Sequence, residues 1–175
     1  MDSTANQKTQ SPAGNSLDSI GVLKRREIEA RILGPVLEAL GKEFGRERVL
    51  EVAREAIASV ARGHGHELHQ RAGGNSLNDF VQLLPMWEKD GGIEVRIDQQ
   101  SNDRLSFDVV RCRFAEMYRG LGIPELGALL SCNRDFAMIQ GFNPDVELTR
   151  TQTIMEGATH CDFRFRKRSP TEDRR

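Results

Sequence analysis

The sequence is short of most features that would place it at a glance. It has three cysteines, an odd number and too few for a disulfide framework. In a reducing compartment these are free thiols, acting as small buried apolar residues, metal ligands or nucleophiles. No CxxC pair exists, so no local zinc finger is written into the chain. No apolar run approaches the roughly 18 residues of a membrane span. The N-terminus shows no apolar core of a signal peptide, so a cytoplasmic location is expected. Charge of one sign is missing too. The 25 Lys and Arg balance 26 Asp and Glu, which argues against a nucleic-acid or anionic-membrane partner. A glycine-rich phosphate loop and a βαβ alternation are absent, which argues against a nucleotide site.

What is present suits one domain. A chain of 175 residues can bury about 70% of the surface that its unfolded form exposes. Residues 1–19 are polar and rich in Ser, Asn and Gln, and read as a disordered tail, as do residues 169–175. Residues 20–168 then form a single α+β domain.

Within it, residues 20–44 carry a helical pattern. Ile28, Ile32, Val36, Leu40 and Phe44 recur every four residues, with Leu33 and Leu37 beside them, and are the expected apolar face. Gly34-Pro35 should kink or break this helix. A second helix spans residues 46–62, with Gly63 as its stop. The following segment holds His64, His66 and His69. It is either a metal or proton-transfer site or simply a polar helix end, and it is not the HExxH zinc pattern. A Gly-Gly-Asn-Ser turn caps a third helix over 77–88, whose lone Trp87 reads as core. At Asp90-Gly91-Gly92 the period shifts to two, and residues 92–112 read as a β-hairpin. Two helices follow, over 113–121 and 124–140. A second hairpin closes the chain, its first strand carrying Val146, Leu148, Arg150, Gln152 and Ile154 on one face. The order ααα-ββ-αα-ββ predicts an antiparallel sheet of about four strands, two β-hairpins, packed against a cluster of helices.

Reactive side chains concentrate between Cys132 and Phe165. Arg150 interrupts an inward-reading strand face, and a buried guanidinium requires an anion. That anion is either a structural partner, Asp135 or Glu116, or a substrate carboxylate held bidentately. Cys132 and Asp135 share a helix face. Cys132 is a nucleophile only as thiolate, for which Arg150 or His160 would have to supply the cation or base. Otherwise it packs as a small apolar residue beneath Leu129 and Phe136. Were the ends of their elements to meet, Cys112, Cys132 and Cys161 with His160 would make a zinc-like set, so a divalent metal is a possible cofactor.

Several blocks then point to one family. Arg111-Cys112, Phe114 to Tyr118, Leu130-Ser131-Cys132-Asn133-Arg134-Asp135, Gly141-Phe142-Asn143-Pro144, Arg150 to Gly157 and Cys161-Asp162-Phe163-Arg164 keep their order. Together they resemble the L-2-amino-thiazoline-4-carboxylic acid hydrolase family, over residues 25–168 and most densely after residue 105. The resemblance implies an enzyme that adds water at the amidine carbon of a five-membered ring and releases an N-carbamoyl amino acid. The last hairpin also looks like that of small-molecule-binding domains of nitric-oxide-signalling and Golgi-transport folds, which are α+β with a four-stranded antiparallel sheet.

Two readings follow. One is a hydrolase that splits a C–N bond in a small cyclic amidine or amide. Cys132 is then nucleophile or metal ligand, Asp135 base or orienting group, and His160 the acid. Arg150 anchors a substrate carboxylate, and Cys161 and Cys112 line the same pocket. The other is a sensory module that binds a small molecule or metal without chemistry. A homo-oligomer is compatible with either.

Overall fold

A stretch rich in Leu, Glu, Lys and Arg, all good helix formers, builds the first element. In a computed structural model, which describes residues 19–169, it is helix α1, Val22–Phe44. The two expected tails therefore lie outside the described residues except for Ser19 and Ser169. Gly45, at φ 88°, is the single-residue link to α2, Arg46–Ala72.

Both long helices differ from expectation in instructive ways. α1 continues through Gly34-Pro35, and Gly34 is buried there, where a Cβ would lie 3.3 Å from Ile123. The residues of α1 that face inward are Val22, Ala30, Gly34 and Leu37. The stripe from Ile28 to Phe44 stays at the surface, with Ile32 61% exposed. A spacing of four drifts about 40° per step around a helix of 3.6 residues per turn, so this row winds off any one face. α2 likewise does not stop at Gly63. It runs on through the histidine segment because its later turns cross α7, Arg134–Phe142, at close range. A Cβ on Gly65 would lie 2.0 Å from the Met138 carbonyl oxygen, and one on Gly141 would lie 2.0 Å from that of Arg62. The two glycines let the backbones touch, as small residues do at tight helix crossings.

The segment expected as one helix over 77–88 is two short ones, α3 (Leu77–Val81) and α4 (Pro85–Glu88). Ser76 caps α3 with a full capping box: its Oγ accepts from Asp79 N at 3.2 Å, and Asp79 Oδ2 accepts from Ser76 N at 2.9 Å. The alternating stretch forms β1 (Ile93–Gln100) and β2 (Arg104–Cys112), paired antiparallel. Then come α5 (Arg113–Gly120), α6 (Pro124–Gly127), a π-helical turn (Ala128–Cys132) and α7. Strands β3 (Val146–Thr149) and β4 (Cys161–Lys167) complete a four-stranded antiparallel sheet in the order β1-β2-β4-β3. The expected α+β class and sheet are thus those observed.

The second hairpin departs from its expected shape. β3 ends at Thr149, and residues 150–160 leave the sheet, with a 3-10 turn at Ile154–Glu156. The Asp162 carboxylate replaces the strand ladder here. It accepts from the amides of Thr151 and Gln152, both at 2.9 Å, and from the Thr151 hydroxyl at 2.7 Å. The chain can therefore dip toward the helices and carry Arg150 with it.

Register puts Leu105, Phe107 and Val109 opposite Phe165, Phe163 and Cys161 on one sheet face. That face packs with Leu77, Phe80, Ile139 and Phe142 into one core cluster. A second cluster gathers Ala30, Leu37, Ile57, Ala115, Tyr118 and Leu130 from α1, α2, α5 and the π turn. Met86, Trp87 and Cys112 touch both clusters.

Candidate functional site

The two core clusters do not close completely on each other. Between them lies a cavity of about 540 Å³. Its apolar wall includes Phe107, Phe163 and Phe165 from the sheet and Phe80, Leu84 and Trp87 from the short helices. Trp87, expected as core alone, is both core and wall. Phe107 and Phe163 stack on each other with centroids 4.9 Å apart, which makes one aromatic block of this part of the wall. A cavity of this size, with apolar walls and charged side chains set among them, is a form that small-molecule sites take.

All three thiols reach this space. Cys112 at the end of β2, Cys132 in the π turn and Cys161 at the start of β4 line the cavity. Each is protonated by its surroundings. Burial raises Cys132 far above the ordinary thiol range, with Asp135 adding to the effect and Arg150 opposing it. Burial also pushes Cys161 up to about 11, although its Sγ accepts from the Ile154 amide at 3.2 Å. Cys112 is raised for the same reason, despite hydrogen bonds from the Ala115 and Phe114 amides. A thiol in this state is a weak nucleophile. Among the described residues, no group of three or more His, Cys, Asp or Glu is placed to hold a metal ion, so the sulfur set does not close into a ligand shell.

Asp135 and Arg150 meet across the cavity wall. Arg150 Nη1 donates to Asp135 Oδ2, and Nη2 donates to the Cys132 carbonyl at 3.2 Å. The guanidinium lies between the rings of Phe136 and Phe163, 5.1 and 5.2 Å from their centroids. Of the two partners that the sequence offers, Asp135 is the one taken, and Glu116 instead binds Arg111. The Arg150 side chain is only 7% exposed and has its charge matched within the protein. Burial raises the Asp135 carboxyl above the usual range, and Arg150 works against that rise.

His160 is placed elsewhere. It is not part of the cavity wall, and its ring lies against the Gln152 amide and the Thr159 hydroxyl. The three-histidine segment divides. His66 Nδ1 is 3.0 Å from the Gly141 carbonyl and His69 Nδ1 is 3.1 Å from that of Phe142, so both satisfy the end of α7. His64 alone faces the cavity. Burial and the neighbouring Arg26 lower its basicity, so it is neutral at pH 7.

The structure adds a group of residues to which the sequence reading assigned no role. Arg25, Arg26 and Glu29 from α1 and Arg134 from α7 form a polar end to the cavity. Arg26 Nη1 donates to Glu29 at 2.6 Å, and Arg134 Nη2 donates to the same carboxylate at 3.0 Å. Arg134 Nε donates to the Leu130 carbonyl at 2.8 Å. The π turn thus offers two carbonyls, Leu130 and Cys132, to two different arginines. A signal for Arg134 was available. It continues the row Leu126, Leu130 at a spacing of four, the same kind of interruption that marked Arg150.

The comparisons with known proteins agree with this architecture. A model of the L-2-amino-thiazoline-4-carboxylic acid hydrolase family matches residues 25–165. No curated protein matches the chain. Among solved structures, one similar fold is the phenol-responsive sensory domain of the transcription activator PoxR with phenol. Its TM-score is 0.51 at 12% identity, over 78% of this chain and 73% of that one. Another is trafficking protein particle complex subunit 3 from Naegleria fowleri, covalently bound to palmitic acid. Its TM-score is 0.51 at 13% identity, over 83% of this chain and 96% of that one. At such identities the likeness is one of fold alone. The family match spans every cavity-lining residue but Val22, and the chain belongs to the L-2-amino-thiazoline-4-carboxylic acid hydrolase family.

Proposed function

We propose that the protein is a hydrolase that opens a small cyclic amidine or amide inside the cavity between the two cores. The observation that carries this reading is the single cavity onto which Asp135, Arg150 and the three thiols all open, within the stretch matched by the family model.

The chemistry asks for a water, a base and a route for one proton. Water adds to the sp² carbon of the amidine, and Asp135 takes a proton from it. A carboxyl raised by burial is a stronger base than an ordinary one, and Arg150 keeps it ionised and oriented. The tetrahedral carbon then collapses, and the leaving ring atom takes the proton back from Asp135. The balance is one water consumed and no other reactant. An N-carbamoyl product keeps both nitrogens on that carbon. In a 2-amino-thiazoline the bond that breaks is therefore the ring C–S bond, and the C–N bond breaks only in a ring without sulfur. This amends the expectation of C–N cleavage for the thiazoline case. The protonated thiols serve as wall rather than as nucleophiles, and His160 has no part in the step.

The test is incubation of purified protein with L-2-amino-thiazoline-4-carboxylate and with cyclic amides of similar size, following the open product by mass. Turnover is expected for at least one ring. No product from any of them would remove the proposal.

A second reading is favoured by the raised thiols and by the two similar folds, whose structures hold phenol and palmitic acid. In it the cavity binds a small molecule and does nothing to it. Saturable binding with no product over days would select this reading.

A further inference from the structure

We propose that the end of the cavity formed by α1 and the first turn of α7 is an anion subsite, in which Arg134 and Arg25 bind the carboxylate of the ligand. The inference deepens the reading above and rests on the cavity being the ligand site, but not on chemistry taking place there.

Arg150 would be the natural anchor from sequence, yet its charge is matched by Asp135 and its Nη2 donates to the Cys132 carbonyl. Arg134 is in a different state. Its side chain is 10% exposed, with Nε and Nη2 satisfied by Leu130 and Glu29. Its Nη1 is buried and has no partner among the described residues. Arg25 Nε is buried and without a partner among the described residues as well. These two donors belong to two guanidiniums that line the same cavity, one carried by α1 and the other by α7. Buried donors of charged groups are almost always satisfied, so two orphans in one wall call for an acceptor from outside the chain.

The charge around them has the matching sign. Five arginines line the cavity, namely Arg25, Arg26, Arg71, Arg134 and Arg150, against three carboxylates, Glu29, Glu67 and Asp135. The wall is positive although the whole chain carries a formal charge of −1. Glu29 does not cancel the local excess, because Arg26 and Arg134 share its one carboxylate. His64, the remaining titratable group facing this end, is held neutral by burial and by the positive charge of Arg26. A monoanion placed between Arg134 and Arg25 would receive one N–H from each, as planar carboxylates do from guanidinium forks. Its ring would then extend into the part of the cavity lined by Phe107, Phe163 and Asp135. The subsite thus sets the orientation of the ligand and selects carboxylated rings over neutral ones such as phenol.

The experiment is calorimetric titration of the intact protein with L-2-amino-thiazoline-4-carboxylate and with its neutral 4-carboxamide. The wild-type protein is expected to bind the carboxylate at least about tenfold more tightly, the effect of charge-assisted hydrogen bonds in a dry site. Arg134→Gln should abolish the preference. Because Arg134 also ties α7 to α1, Arg25→Gln is run beside it, with thermal unfolding recorded for both. Arg25 has no ion pair among the described residues, so its variant should fold as wild type and still lose most of the preference. Equal binding of acid and amide, binding of neither, or a preference unchanged in a folded Arg25→Gln would overturn the subsite. A preference that persists without any ring opening would leave the subsite standing and remove only the hydrolase.

Discussion

Cys132 shows how burial sets the chemistry of a side chain. It faces the cavity next to Asp135, and both low polarity and that neighbour keep its proton in place. The Cys132→Ser variant should therefore retain ring-opening activity within about tenfold, whereas loss of a true nucleophile costs several orders of magnitude. Alkylation of Cys132 by iodoacetamide at pH 8 should likewise be far slower than that of a free thiol; rapid loss of that thiol would contradict the account. Asp162 makes the opposite case. Burial works against its charge, but the Thr151 hydroxyl and the Thr151 and Gln152 amides hold its carboxyl below the usual range. A depressed carboxylate adds stability that is present above the unfolded value of about 3.9 and is lost as pH falls through the lower folded value. Unfolding midpoints measured from pH 5 down to pH 2 should fall, and Asp162→Asn should flatten part of that fall while costing about 1–3 kcal/mol at pH 7. No change in slope would mean that the bonds to residues 151 and 152 do not matter to the fold.

At the scale of elements, the crossing of α2 and α7 is held open to backbone contact by Gly65 and Gly141. Gly65→Ala or Gly141→Ala would place a methyl group about 2 Å from a carbonyl oxygen. Each should destabilise the protein by about 3 kcal/mol, as overpacking of a rigid contact does, measurable by urea titration. A neutral effect would show that the helices can separate at little cost. These glycines also explain a limit of sequence reading. Gly63 and Gly65 read as a helix stop, because a missing Cβ serves equally for a turn and for a close contact; Gly65 proves to be the close contact, and Gly63 is simply carried along in α2 with open space beside it. The row from Ile28 to Phe44 misled for a related reason. Its spacing is helical, but which side of α1 faces inward is set by α2, α5 and the π turn. Period-two alternation in β1 and β2 was legible because a sheet face is specified residue by residue. The exit of the chain at Arg150 was not, since it depends on the Asp162 carboxylate reaching back across the hairpin.

For the whole molecule, the site emerges where two cores fail to merge. Sequence blocks marked Cys112, Cys132, Asp135, Arg150 and Cys161, and the fold brings all five to one cavity. Their electrostatic state was not legible, because it is set by desolvation in a space that exists only after folding. Arg25 and Arg134 went unassigned because they stand 109 positions apart and meet the same cavity only through the packing of α1 on the start of α7. The cavity is lined by an aromatic block, Phe107, Phe163 and Phe165, and by the arginines of the proposed carboxylate subsite. The most direct test is the pH dependence of ring opening of L-2-amino-thiazoline-4-carboxylate by the wild-type protein. The account predicts turnover that falls on the acid side with a midpoint above the ordinary carboxylate value of about 4, because Asp135 must be ionised to act and burial has raised it. Absence of ring opening at every pH, or an acid limb that persists unchanged in a folded Asp135→Asn variant, would contradict it.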